Sequence, residues 1–333
     1  MAVSHRLDQF QRRHPVVAFP IAVLYKYLDD SGGYLAALIA FFGLLSLFPL
    51  LLLLSTILGF ALSGNSELQR EVLNSALHQF PVVGPQLRDP ERFGGGVLGL
   101  VIGVLGSVYG ALGVAQASQY AMNTAWSIPR NERPNPIKAR LRSLLLLLTA
   151  GIALLGTTVL SAIGSSGAGS LGLLLRVLVL AASIGLNVAV FVFGFRIATA
   201  RDLTVGQVMP GAISAAVLWQ LLQSFGVLYV AHVVRHASSV NSVFAVVLGL
   251  ITFLYLTAIV VVLCVEVNVV HVNKLHPRAL MTPFTDRVNL TRADENAYTR
   301  QAKTQRMKGF EEVNVAFREQ PPASLPADGE GDS

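Results

Sequence analysis

The stretch GGGVLGLVIGVLGSVYGALGVAQASQYAMNTAW (94–126) decides the fold. Within it glycines stand at Gly96, Gly99, Gly103, Gly106, Gly110 and Gly113, and Ala117 continues the series. The steps alternate between three and four residues, a mean period of 3.5, which puts every one of them on a single helix face. From Val97 to Leu105 the residues between are all Val, Leu and Ile. In water each glycine would weaken such a helix by about 1 kcal/mol relative to alanine. In lipid, helices associate through close backbone approach, and a groove of small residues permits it. The segment therefore reads as a membrane helix at the centre of a bundle, with one or two neighbours pressed into its glycine seam.

The C-terminal half of this helix carries Tyr109, Gln116, Tyr120 and Asn123, a polar stripe beside the glycines. Amides at membrane depth are costly unless they face protein or water. The stripe therefore serves interhelical hydrogen bonding or lines a polar cavity.

Composition agrees with a membrane protein. Charged residues form 13% of the chain and hydrophobic ones 53%, with mean hydropathy +0.58. A soluble domain carries about twice that charged share. The single cysteine, Cys264, excludes an internal disulfide and any cysteine-based zinc site. The net charge of +6 lies at the ends of the apolar spans, which does not suggest a nucleic-acid partner.

Taken in order, residues 1–31 mix Arg6, Arg12, Arg13 and Lys26 with apolar side chains and suit one or two interfacial helices; no cleavable signal peptide is expected. The transmembrane domain is placed at 32–275. Its first span (33–62) contains Pro49, which removes a backbone hydrogen bond and predicts a kink, with Ser46 available for the freed carbonyl. Residues 63–93 read as a short surface helix ending near Pro85. The glycine helix is the second span, and a short basic loop leads to a third (143–163). A Gly/Ser linker (164–170) precedes the fourth (171–198). The fifth (210–232) opens on Pro210, a residue suited to a first helical turn, and the sixth covers 243–270. A cytoplasmic amphipathic tail is expected over 276–320, with its helix at 284–320, then a disordered end (321–333). The fold expected is an all-α bundle of six transmembrane helices with surface amphipathic helices.

Orientation follows from the basic residues. Of 25 Lys and Arg, 20 fall in the N-terminal segment, the loop after span two, the end of span four and the C-terminal segment. Cytoplasmic loops carry such an excess, so both termini are expected in the cytoplasm.

Several motifs are set aside on context. Gly94, Gly96 and Gly99 fit a dinucleotide fingerprint, but no strand precedes them and a membrane helix follows. Asn289-Leu290-Thr291 is a glycosylation sequon on the expected cytoplasmic side. The seven histidines form no metal-hydrolase pattern, and no nucleophile–base pair is evident. No metal, cofactor or enzymatic activity is expected. Two ionisable residues stand at membrane depth, Arg196 and Glu266, at similar distances from the cytoplasmic side. An intramembrane charge is a functional hypothesis by default. Pairing would lower the cost of both, and Tyr255, eleven residues before Glu266, shares its face. A structural clamp or an Arg196 reaching for the headgroups is the plainer alternative. Trp126 fits an interfacial aromatic belt.

An ordered set of short stretches resembles one family. Ser46-Leu47-Phe48-Pro49 precedes a leucine run, and Asn123, Trp126 and Arg133 close the second span. Phe195-Arg196 ends the fourth, Pro210-Gly211-Ala212 with Trp219 opens the fifth, and Tyr229 and Glu266-Val267-Asn268 follow. Over about residues 30–275 these resemble the YihY/BrkB membrane proteins, historically labelled ribonuclease BN-like. The chain departs from the usual family pattern at Asn241-Ser242, Phe253-Leu254 and Cys264-Val265. The resemblance implies a bacterial inner-membrane protein, associated in some relatives with envelope integrity or resistance to host killing.

Two functions compete on these residues. One is a transporter or flippase of an amphipathic envelope molecule, such as a lipid or lipid-linked sugar. In it Arg196 and Glu266, with Tyr255, Gln116, Asn123 and Tyr109, form the substrate path, and Pro49, Pro210 and the glycine seam provide movement. The other is a non-transporting scaffold for envelope integrity. The expected partners are membrane lipids, and the seam would also serve a homo-oligomer. A ribonuclease finds no support in these residues.

Overall fold

The computed structural model describes residues 2–61, 96–166, 172–236, 239–280, 282, 285 and 288–318. The expected surface helix at 63–93, most of the Gly/Ser linker and the tail at 321–333 lie outside them. The described residues form helices α1 (Ala2–Arg13), α2 (Pro15–Asp29), α3 (Gly32–Ala61), α4 (Gly96–Ala125), α5 (Pro136–Ser166), α6 (Gly172–Ala198), α7 (Val205–His236), α8 (Ser239–Asn273) and α9 (Arg292–Lys303), with no strand among them.

Four stretches within these helices are long and apolar enough to cross a membrane: Val101–Ala125, Ala181–Ala198, Val205–Gln223 and Val247–Asn273. A fifth arises if α2 and the first half of α3, bent by 67° at their junction, count as one broken span. Ser31 at that corner takes φ 56°, the left-handed conformation that lets the chain turn between the helices. Leu38, Leu45, Leu105, Leu148 and Leu248 are exposed on the outside of the bundle, as lipid-facing side chains are.

The glycine seam seats α3. A Cβ added at Gly106 would lie 2.7 Å from Pro49, one at Gly110 2.4 Å from Ser46, and one at Gly113 2.2 Å from Phe42. Only glycine lets the two backbones approach this closely. Gly103 is buried on the same helix; Gly96 and Gly99 belong to its first turns. Ser46 Oγ donates to the Gly43 carbonyl at 2.9 Å. It therefore does not serve the Leu45 carbonyl that Pro49 leaves without a partner, as the sequence had led us to expect.

A second close crossing joins α7 to α8. A Cβ on Gly211 would lie 2.1 Å from the Cys264 carbonyl oxygen, and the Gly211 N–H donates to Asn268 Oδ1 at 2.6 Å. Helix α7 begins at Val205 rather than at Pro210. Its start is fixed by Thr204 and Gln207, whose side-chain oxygen accepts the Thr204 N–H at 3.0 Å. Pro210 thus sits inside the helix. Its ring crowds the carbonyl four residues back, and there Gly206 is exposed with open space around it.

The N-terminal and C-terminal segments meet at one end of the bundle. Asp8 accepts the Leu280 N–H at 2.8 Å, and Gln11 donates to the Arg278 carbonyl. The loop after α4 joins them, its Arg130 N–H donating to the Thr304 carbonyl at 3.2 Å. Asn123 Oδ1 accepts the Ala200 N–H at 2.7 Å and ties in the α6–α7 loop. The four segments that hold most of the basic residues therefore converge on one end. The expected tail helix is shorter than 284–320. A Thr291–Asp294 capping box starts α9, and after Thr304 the chain runs without helix along the α4–α5 loop.

Candidate functional site

One buried polar group in the bundle is a trio of charges. Lys26 near the end of α2, Asp30 one turn later and Glu266 on α8 are 1%, 7% and 0% exposed. Helix α2 is otherwise an apolar run, PVVAFPIAVLY, that packs Ala18, Ala22 and Val23 into the core and so carries Lys26 inward with them. The Lys26 ammonium donates to Asp30 and, at 3.2 Å, to the Ala125 carbonyl at the end of α4. It stands 3.8 Å from Glu266 Oε2. Neither carboxylate oxygen of Glu266 has a hydrogen-bond partner. Isolated buried charges are prohibitively costly, so the three depend on one another.

Next to this trio lies a second ionic cluster. Arg278, just past α8, is fully buried between Asp29 (2.6 Å) and Asp294 (2.5 Å), and its guanidinium lies over the Tyr25 and Tyr298 rings. Burial alone would lower the Arg278 pKa, but Asp29 and Asp294 outweigh it and hold the group above its ordinary value. Asp294 also accepts the Ala279 N–H at 2.9 Å. The pair Asp29–Asp30 is thereby split: one carboxylate faces Arg278 beside the tail, the other Lys26 inside the bundle.

The third group is basic and open. A cavity of about 260 Å³ at the end of α6 is lined by Arg142, Arg196 and Arg201, with Phe193 and Ile197 as apolar wall and Asp202 as its one carboxylate. Arg196 Nε donates to the Leu203 carbonyl at 2.7 Å and Arg142 to the Thr199 carbonyl at 3.1 Å. Each guanidinium keeps further N–H groups for a ligand. Arg201 lies over the Trp126 ring, 6.0 Å from its centre. Burial first, and Arg201 second, push the pKa of the neighbouring Arg300 down. Three guanidinium groups against one carboxylate leave an excess of positive charge beside an apolar wall, the chemistry of an anionic amphipath's headgroup site.

The expected site residues thus fall into separate places. Glu266 and Arg196 do not meet: Glu266 faces Lys26 and Asp30, whereas Arg196 turns to the α6–α7 loop and is exposed. Tyr255 shares the α2–α3 side of α8 with Glu266, packing beside Tyr27 and Gly33. Asn123 is buried and bonded to Ala200, while Tyr109 and Gln116 are exposed on the outer surface of α4. The interhelical amide beside Asn123 is Gln119, whose Nε2 donates to Ser143 Oγ at 2.8 Å on α5. Trp126, 3% exposed, belongs to the core rather than to an interfacial belt.

Lys26, Asp30 and Arg278 escaped the sequence reading. The available signal was that Lys26 stands alone in an apolar run, unlike Arg6, Arg12 and Arg13. Among the described residues no group of three or more His, Cys, Asp or Glu could hold a metal.

The family model described as Virulence factor BrkB matches residues 23–287. No curated protein and no solved structure matches the chain. The matched range takes in Lys26, Asp30, Arg142, Arg196, Arg201, Glu266 and Arg278.

Proposed function

The chain belongs to the BrkB family of membrane proteins, and on that premise we propose that it moves an anionic amphipathic envelope molecule, a lipid or lipid-linked sugar, across the bacterial inner membrane. The observation that carries this reading is the cavity framed by Arg142, Arg196 and Arg201 beside Phe193 and Ile197. In this reading six spans cross the bilayer, and both termini and the cavity face the cytoplasm. The convergence of the basic segments on one end supports that orientation. Arg196 and Arg201 receive the phosphate or carboxylate of the headgroup, and the acyl or isoprenoid chain lies along the exposed side of α6. The glycine seam between α3 and α4 lets the bundle open without tearing large side chains apart. No catalytic centre is part of this reading.

Native mass spectrometry of the gently purified full chain, wild type beside Arg196→Ala, tests it. One class of anionic lipid retained at fixed stoichiometry and lost in the variant supports the headgroup site. The same unselected lipid on both proteins refutes it.

A scaffold reading draws on a different observation, the clasp of the C-terminal segment over α1 and α2 through Arg278, Asp8 and Gln11. It predicts that removing residues 284–333 abolishes function while Arg196→Ala leaves it intact.

A further inference from the structure

The Lys26–Asp30–Glu266 group has an unbalanced charge. Two carboxylates against one ammonium leave a net −1 if all are ionised, in a place where the three residues are at most 7% exposed. The charged groups acting on Glu266 are Lys26, Asp30 and, behind them, Asp29. Asp29 is committed to Arg278, and Arg278 is committed in turn to Asp294. Helix α4 brings the Ala125 carbonyl, which Lys26 already occupies and which adds no positive charge. Helix α7 meets α8 through Gly211 at Cys264 and Asn268, two residues to either side of Glu266, and brings no charge there. Among the described residues no further cation faces the group to cancel the remaining negative charge.

Two species could. A monovalent metal cation needs several oxygen ligands around an open centre. Here the centre is filled by the Lys26 ammonium, which takes Asp30 and the Ala125 carbonyl for itself. A proton needs only one oxygen, and Glu266 offers two without partners. Protonated, Glu266 becomes a hydrogen-bond donor toward Asp30, and the orphaned oxygens acquire a role. The balance is simple. One proton enters from the aqueous phase, no bond other than O–H forms, and the group passes from net −1 to neutral.

We infer that Lys26, Asp30 and Glu266 form a sealed one-proton site in which Glu266 and Asp30 share a single proton over the Lys26 ammonium. Loss of that proton leaves an uncompensated charge between α2 and α8 and favours water entry or separation of the two helices there. The site is therefore a place where proton occupancy sets the packing of α2 against α8. This holds whatever the chain moves, so it stands or falls separately from the headgroup cavity.

The test is infrared difference spectroscopy on the full chain in lipid, stepping from neutral to alkaline pH and reading the carbonyl stretch of a protonated carboxylic acid. One such band per chain, shifted in heavy water, is expected in the wild type. Glu266→Gln removes it. Asp30→Asn also removes it, because Glu266 and Lys26 then balance without a proton. Both variants keep side-chain shape and a neutral site, so both are expected to fold, as thermal unfolding will verify. A band that persists in Asp30→Asn overturns the shared site, since Glu266 would then be protonated on its own. No band in the wild type also overturns it. In that case a thermal midpoint raised by sodium in the wild type, but not in Glu266→Gln, would identify a metal ion as the balancing charge.

Discussion

The contact between α3 and α4 can be tested at one atom. At Gly110 a methyl group would lie 2.4 Å from Ser46 Cβ, 2.5 Å from its Cα and 2.8 Å from its backbone nitrogen. Ordinary contact begins at 3.4 Å, so the shortfall is 1.0 Å against the nearest atom, and two of the three obstacles are backbone. Gly110→Ala therefore has to move one helix against the other. Alanine improves the helix itself by about 1 kcal/mol. Overpacking of a tight interface costs about 1–3 kcal/mol, with more lost as the seam at Gly106 and Gly113 opens in register. The net expectation is a destabilisation of about 1–2 kcal/mol, lowering Tm by about 1–3 °C for a chain of this size. Gly151→Ala supplies the control within the same protein, because nothing lies within 4 Å of a methyl group there. It should leave Tm unchanged or raise it. Ser46→Gly removes the nearest carbon but leaves its Cα and nitrogen in place, so it should restore only part of the loss. Thermal unfolding of the purified proteins in one detergent reads all four. Equal midpoints for Gly110→Ala and Gly151→Ala would falsify the close backbone contact.

Other perturbations act on other parts of the molecule. Gly211→Ala drives a methyl to 2.1 Å from the Cys264 carbonyl oxygen and should lower Tm at least as far as Gly110→Ala, by the same assay. Arg278→Ala leaves Asp294 buried and Asp29 half-buried without their cation, a loss of about 3–5 kcal/mol for the broken buried Asp294 pair. Limited proteolysis should then cut within 288–318 under conditions in which the wild type resists; an unchanged digestion pattern counts against the clasp. Because the folded-state pKa of Arg278 is raised, its contribution is fully present below the ordinary guanidinium value and fades only as pH rises through the higher one. The wild-type digestion pattern should therefore show no loss of the Arg278 charge when mildly alkaline buffer replaces neutral buffer. Asn123→Ala leaves the Ala200 N–H without its acceptor and should loosen the α6–α7 loop, measured as faster amide exchange at 199–204.

The parts of the fold set by local periodicity were readable from the chain. The 3.5-residue glycine repeat named the helix face that receives α3, and the structure fills it with Pro49, Ser46 and Phe42. The clustering of Lys and Arg anticipated which loops gather at one end. What could not be read was partner choice across long sequence separations. Glu266 and Arg196 were matched by depth alone, and depth along an axis does not specify which helix faces which. The partner turned out to be Lys26, 240 positions earlier, on a helix bent 67° from its successor at Ser31. Basic residues near a chain end read as surface, and only the inward packing of Ala18, Ala22 and Val23 reveals that Lys26 goes with them. The start predicted at Pro210 lies inside α7 because the Thr204–Gln207 contact opens the helix earlier, at Val205.

The central claim is that the cavity of Arg142, Arg196 and Arg201 receives an anionic headgroup during movement between leaflets. Its most direct measurement is translocation of a fluorescent anionic phospholipid in liposomes reconstituted with the full chain. Wild type is compared with Arg196→Ala/Arg201→Ala at matched incorporation and unchanged thermal midpoint. The account predicts wild-type transfer well above empty liposomes, falling at least tenfold in the double variant. Equal rates in the two proteins, or no transfer above empty liposomes in the wild type, would contradict it.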